Sequence, residues 1–333
     1  MPRLPVPGVV RQRYHQLRNE AIRLGYLKAL EHASKLGRAL PIARAARERV
    51  EVLRDIPYRP GGRRAHRLDV YRPREPGPPA RVILYIHGGA FTHLSKDTHW
   101  MMAASFAARG YVVFNINYRL APRDPFPAAV EDACAAARWV LEHAAAFGGD
   151  PERIVVAGES AGGNLATVVT LAARHEFDYE PARALFRSGF TPRACIAACA
   201  LLQVSETERF NAGRRRPLPT WVHHQLLTLT AQYLPSARRE GELMPLADPL
   251  IFLEQRDDPT DRPLPPFFAF AGTRDPIKGD THRLDAALAR AGVRCETRIY
   301  KGELHAFHAF LFREQAQLCW REQFAFLDEV VAR

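Results

Sequence analysis

The chain predicts an α/β protein: a mostly parallel central sheet with helices on both faces. Short apolar, β-branched runs such as RVILYIH (81–87), YVVFNINY (111–118) and RIVVAG (153–158) suit buried strands, and they alternate with segments of helical period. AGESAGGNL (157–165) then sets one serine among small residues, between such a run and a helix. At 333 residues the chain can bury one large core or two smaller ones.

Residues 10–48 read as helical, because Leu17, Ile22, Leu24, Leu27 and Leu30 follow a helical period, though imperfectly, and Pro41 interrupts the pattern. The period then changes. VEVLRDIPY (50–58) and HRLDVYRP (66–73) predict two early strands with Gly61-Gly62 as a turn between them. Strands at 81–86 and 111–118 follow, then an alanine-rich helix over 128–146, a strand at 153–158 and a helix over 161–174. ACIAACALL (194–202) predicts the next strand, and a less regular stretch from 203 to 265 holds a helix near 220–234. FFAFAG (267–272) and CETRIYK (295–301) predict the last two strands, flanking a helix at 279–291, and a final helix runs from about 309 to 331. This order places ligands at the carboxyl ends of the strands.

Composition narrows the function classes. Hydrophobic residues are 47% and charged residues 25%, as in ordinary globular proteins. No apolar run reaches the length of a membrane span, and the first twenty residues lack a secretory apolar stretch, so the expectation is a cytoplasmic protein. Cys134, Cys195, Cys199, Cys295 and Cys319 have no metal-type spacing and read as reduced packing residues. The formal charge of +11 is uneven: residues 1–48 hold ten Lys+Arg against three Asp+Glu. That segment reads as a solvated helical face, or as a weak contact for anionic membrane surfaces. No zinc-finger spacing or RNA-reading aromatic motif accompanies the charge, which argues against nucleic acid.

The chemistry gathers at four places. Gly158-Glu159-Ser160-Ala161-Gly162 fits G-x-S-x-G between a predicted strand and helix, where small neighbours let a nucleophile stand on a tight turn. The same turn aims the Ala161 N–H where negative charge develops in acyl transfer. HGGAF (87–91) follows a strand and assigns Gly88 and Gly89 as further oxyanion donors, with His87 bracing its own loop. Asp275 and His305 each follow a later strand, so both emerge at the end of the sheet that carries Ser160. His308 is a rival base, but it falls at the start of the predicted final helix. Asp280 suits a helix N-terminus, and Glu159 points away from an ester in a supporting role. His223 and His224 have no acidic or thiol company and read as surface residues.

These residues resemble the hormone-sensitive-lipase-like family of α/β-hydrolases, which includes microbial esterases and lipases. The resemblance runs over HGGAF, NYRLAPRDPFPAAVEDA (117–133), GGDPERIVVAGESAGGNLA (148–166), GTRDPIKGD (272–280) and GELHAF (302–307), in the family's order. Three positions depart from the pattern: Ala90 and Ala306 stand where glycines are usual, and Gly279 where an acidic residue is. The resemblance implies an α/β-hydrolase fold over 49–333 with a helical cap built from residues 1–48 and about 205–245. Phe91, Trp221 and Leu226 are then candidate liners of the acyl pocket, each with a packing role as the alternative.

The reading is a cofactor-independent serine carboxylesterase acting on small-molecule esters of short to medium chain, with Ser160, His305 and Asp275 as the triad. An amidase or aryl-formamidase would use the same residues. A non-catalytic receptor on this fold is disfavoured by the presence of His305. The resemblance also implies a homodimer through a terminal strand or helix.

Overall fold

The computed structural model describes residues 48–75, 77–236, 241–256 and 260–331, and of the preceding segment residues 17–22, 25, 28, 29, 32 and 34. Its eight strands are β1 (Val50–Pro57), β2 (Arg67–Pro73), β3 (Ala80–Ile86), β4 (Val112–Ile116), β5 (Gly149–Glu159), β6 (Ala194–Ala198), β7 (Phe267–Gly272) and β8 (Cys295–Tyr300). They form one sheet in the order β1-β2-β4-β3-β5-β6-β7-β8. β1 and β2 join antiparallel, as does β2 with β4, and every later neighbour is parallel.

Strand periodicity of two sorts the apolar residues onto two cores. Val82, Leu84 and Ile86 of β3 pack on one face of the sheet, with Phe114 of β4 and Val156 of β5. Ile83 and Tyr85 pack on the other, with Val113 and Val155. Both faces are therefore covered, which is why these strands are nearly continuous in apolar residues rather than alternating.

The principal helices are α1 (Trp100–Ala107), α2 (Ala128–His143), α3 (Ala161–Arg174), α4 (Glu180–Arg187), α5 (Thr220–Tyr233), α6 (Met244–Ala247), α7 (Pro249–Glu254), α8 (Lys278–Arg290) and α9 (Glu314–Val330). α1, α4, α6 and α7 were not expected; at four to eight residues they are too short to show a helical period. The strand expected over 194–202 stops at Ala198, because Cys199 turns the backbone to φ 45°. The final helix starts at Glu314, and His308 lies in a separate 3₁₀ turn, Phe307–Ala309, rather than in that helix. Residues 17–22 are helical as expected, while Leu24, Leu27 and Leu30 lie outside the described residues. Among the described residues no helix is long and apolar enough to cross a membrane.

Candidate active site

Ser160 ends β5 and opens α3 at φ 56°, ψ −115°, a backbone conformation that costs energy for any residue with a side chain. The surroundings hold it there. Its amide donates to the Ala198 carbonyl at 2.8 Å, and its carbonyl accepts from Asn164 at 3.1 Å and Leu201 at 3.2 Å. The neighbouring glycines are steric necessities: a Cβ on Gly158 would strike the Gly162 carbonyl, and one on Gly162 would strike that of Ile86. The turn therefore fits only because small residues flank the serine.

Asp275 and His305 leave the carboxyl ends of β7 and β8, two and three strands from β5 in the sheet. His305 Nδ1 stands 2.9 Å from Asp275 Oδ2. The other carboxylate oxygen, Oδ1, accepts the Ile277 amide at 2.9 Å, which fixes the plane of the acid. Asp275 is buried and the His305 side chain is one-third exposed, so the imidazole faces outward from a fixed base. Burial opposes a charge on His305, but the Asp275 carboxylate beside it outweighs that and raises its pKa above the ordinary imidazole value.

The 87–95 loop supplies amides. Gly89, Ala90, Phe91 and Leu94 all have positive φ, so the loop is coiled tightly on itself. Its brace is His87, buried, stacked on Tyr118 at 4.3 Å, with Nδ1 2.7 Å from the Gly88 carbonyl. Burial and the neighbouring His99 lower the His87 pKa to about 3, which keeps it neutral and removes it as a base at neutral pH. Of the expected oxyanion donors, Gly88 is already engaged: its amide donates to His99 Nε2 at 3.4 Å. Among the described residues the amides of Gly89, Ala90 and Ala161 make no such bond.

Glu159 has more partners than the sequence suggested. It is buried between two histidines, 3.7 Å from His99 Nε2 and 3.3 Å from His308 Nε2. Burial alone would raise its pKa, yet those histidines hold it down to about 2. His99 reaches the oxyanion loop through Gly88, and His308 sits three residues beyond His305. One carboxylate thus touches all three loops that carry the chemistry. Cys199 was also unforeseen: its Sγ lies within 4.8 Å of the facing atoms of Asp275 and His305, as a buried floor to that pair. No local sequence signal marks either contact, since the partners lie far apart in the chain.

Other expectations need correction. Asp280 does lie in the first turn of α8, as expected, and its carboxylate also accepts the amides of Leu202 and Gln203 and pairs with Arg209, tying the loop after β6 to α8. Phe91 has no exposed surface and stacks on Tyr233 at 3.7 Å, and Leu226 is buried in the same core, so neither presents surface to an acyl chain. Trp221 is half-buried at the start of α5. A cavity of about 920 Å³ adjoins the oxyanion loop at His87, Leu94 and Tyr118, but none of Ser160, Asp275 and His305 lines it.

A family model for the alpha/beta hydrolase fold matches residues 83–309. Carboxylesterase NlhH of Mycobacterium tuberculosis is 48% identical over 94 residues, a stretch covering 28% of this chain and 30% of that one. Esterase LipI of the same organism is 31% identical over 237 residues, covering 68% of this chain and 66% of that one. Among solved structures, a hyperthermophilic esterase from the archaeon Pyrobaculum calidifontis superposes with a TM-score of 0.71 at 26% identity, over 98% of this chain and 99% of that one.

Proposed function

Because the chain belongs to the alpha/beta hydrolase fold family, in its hormone-sensitive-lipase-like branch, we propose that it is a serine carboxylesterase with Ser160, His305 and Asp275 as its triad. The observation that carries this reading is the 2.9 Å contact of His305 Nδ1 with Asp275 Oδ2, at the end of the sheet where Ser160 stands on its strained turn. Esterase activity of the relatives supports it.

The chemistry follows from the roles. Ser160 Oγ attacks the ester carbonyl while His305 Nε2 takes its proton, and the carbonyl electrons move onto oxygen. Asp275 holds the imidazole in the tautomer with Nδ1–H and stabilises the imidazolium. Collapse of the intermediate expels the alcohol, which leaves with the proton from His305. Water then attacks the acyl-enzyme by the same route and releases the acid. The oxyanion is assigned to the Ala161 and Gly89 amides, with Ala90 in place of Gly88, whose N–H is turned to His99.

The cap is assigned to residues 1–48 and about 205–245. Two described contacts support it. Trp100 Nε1 donates to the Ser34 carbonyl at 3.0 Å, which brings the N-terminal segment beside the oxyanion loop, and Thr207 Oγ1 donates to Leu226 O within the second segment. A capped pocket favours short- to medium-chain acyl groups. A second copy is assigned to the outer edge of β8, the last strand of the sheet, where light scattering would detect a dimer.

Hydrolysis of p-nitrophenyl esters from acetate to palmitate, by wild type beside Ser160→Ala, tests the reading. Turnover is expected to peak at short chains and to fall by about a millionfold in the variant. Turnover unchanged by the substitution, or confined to amides, would overturn it.

A further inference from the structure

Large apolar side chains exposed to solvent are concentrated. Among the described residues they are Leu17, Ile22, Leu304, Phe310 and Phe312, and the last three share the loop that carries His305. Leu304 is 54% exposed and Phe312 80%. Phe310 and Phe312 hold their rings edge to face with centroids 6.0 Å apart, so they form a ridge rather than two scattered residues. Single exposed hydrophobics are ordinary, but a cluster at the mouth of a site marks a contact surface.

The same loop and its neighbours carry cations. The loop after β7 and the loop after β8 are laced together, since the Arg274 amide donates to the Glu303 carbonyl and the Gly302 amide to Thr273 Oγ1. Arg214 reaches the same loop through the Pro276 carbonyl at 3.0 Å. Arg215, Arg216, Arg274 and Lys301 are exposed and have no ion-pair partner among the described residues. The acids on these loops are taken: Glu303 is buried against Arg313, and Asp275 against His305.

We propose that this rim docks onto an anionic phospholipid surface, with the Phe310–Phe312 ridge entering at the headgroup level and the surrounding arginines and lysine meeting phosphates. Aromatic side chains flanked by basic ones are the chemistry that an anionic bilayer surface selects. Charge decides against the other occupants. A second copy meeting itself here sets the same cations against each other, and residues 1–48 are themselves strongly basic. Docking would hold the mouth beside His305 against a surface where apolar esters collect. Only that last purpose rests on the esterase reading; the docking is measured without turnover.

The full chain is sedimented with vesicles of phosphatidylcholine, alone or with about a third phosphatidylglycerol. It is expected to pellet with the anionic vesicles only and to be released by about 1 M salt. The double variants Phe310→Ser/Phe312→Ser and Arg215→Glu/Arg216→Glu are each expected to lower partitioning at least about tenfold. The thermal midpoints of both variants stay within about 3 °C of wild type, which reports an intact fold. Equal binding to neutral vesicles would overturn the proposal. So would vesicle binding that survives either double variant. Retention on polyglutamate with no vesicle binding would reassign the surface to an acidic polymer and overturn it as well.

Discussion

Glu159 Oε2 lies 3.3 Å from His308 Nε2, behind the turn that carries Ser160. The other ring nitrogen of His308, Nδ1, is buried and has no partner among the described residues, so the proton belongs on Nε2 and the carboxylate is its acceptor. With His99 on its other side, Glu159 ties the oxyanion loop, the nucleophile turn and the histidine loop to one buried charge.

Glu159→Gln keeps the shape but exchanges an ionised acceptor for an amide. It is expected to cost about 2–3 kcal/mol of stability, the worth of charge-assisted hydrogen bonds at a buried site. A denaturant midpoint that falls with an unchanged m-value checks this. Because the same carboxylate helps keep the His305 pKa up, the acid limb of kcat/KM is also expected to move to lower pH.

The pH dependence of activity follows from His305. In the proposed mechanism His305 must be neutral to accept the serine proton, and the Asp275 carboxylate raises its pKa. The acid limb of kcat/KM is therefore expected above pH 6.5, the ordinary imidazole value. Asp275→Asn removes the charge and selects the wrong tautomer, so the limb moves down while kcat drops by about 10⁴-fold. A pH–rate profile of both proteins tests the pair; a limb that stays in place would exclude His305 as the titrating group.

Stability should respond to acid through three other groups. Folded His87 and His308 bind a proton only near pH 3 and 4, whereas the unfolded chain binds one near 6.5. Glu159, held down to about 2, likewise takes its proton later folded than unfolded. In each case the unfolded state holds more protons within the window, so stability falls as pH drops from 6.5 towards 3. His305 acts in the opposite sense: its raised pKa favours the folded state below 6.5 and loses that contribution as pH rises through the folded value. Thermal midpoints are expected to be highest near pH 6–7 and to fall steeply below 5. His308→Phe fills the same buried site without a titrating group and should flatten the acid side of that curve.

The strands, the turn that carries Ser160 and the placing of Asp275 and His305 beyond later strands were legible because their signals are local: a run of β-branched residues, or a glycine-flanked serine between strand and helix. Contacts between distant segments were not. Glu159 looked like a residue turned away from the chemistry until His99 and His308 met it from other loops. Phe91 sits in an oxyanion motif, yet its left-handed backbone turns the ring onto Tyr233 and into the core. Gly88 and Gly89 look alike in sequence, and only the approach of His99 separates their amides. The strand after 194 ended early because Cys199 turns the chain beneath the Asp275–His305 pair, an event that an apolar run cannot announce.

Ala306 gives the last prediction. It follows His305 at φ 57°, ψ 26°, the left-handed region, where a Cβ crowds the next carbonyl at a cost of about 1–2 kcal/mol. Glycine removes that cost but gains freedom in the unfolded chain, a loss of about 0.4–1 kcal/mol. Ala306→Gly is therefore expected to raise stability slightly, by about 0.5–1 kcal/mol, with the thermal midpoint up by a degree or two. Gly162→Ala, by contrast, drives a methyl into the Ile86 and His87 carbonyls and is expected to cost about 3 kcal/mol or more, because both obstacles are backbone. The two substitutions exchange alanine and glycine in opposite directions at two positions of the site. Thermal melts of both would separate conformational strain, which glycine relieves, from close approach, which only glycine permits. A destabilised Ala306→Gly would mean that the histidine loop depends on the stiffness of its alanine more than it suffers from the strain.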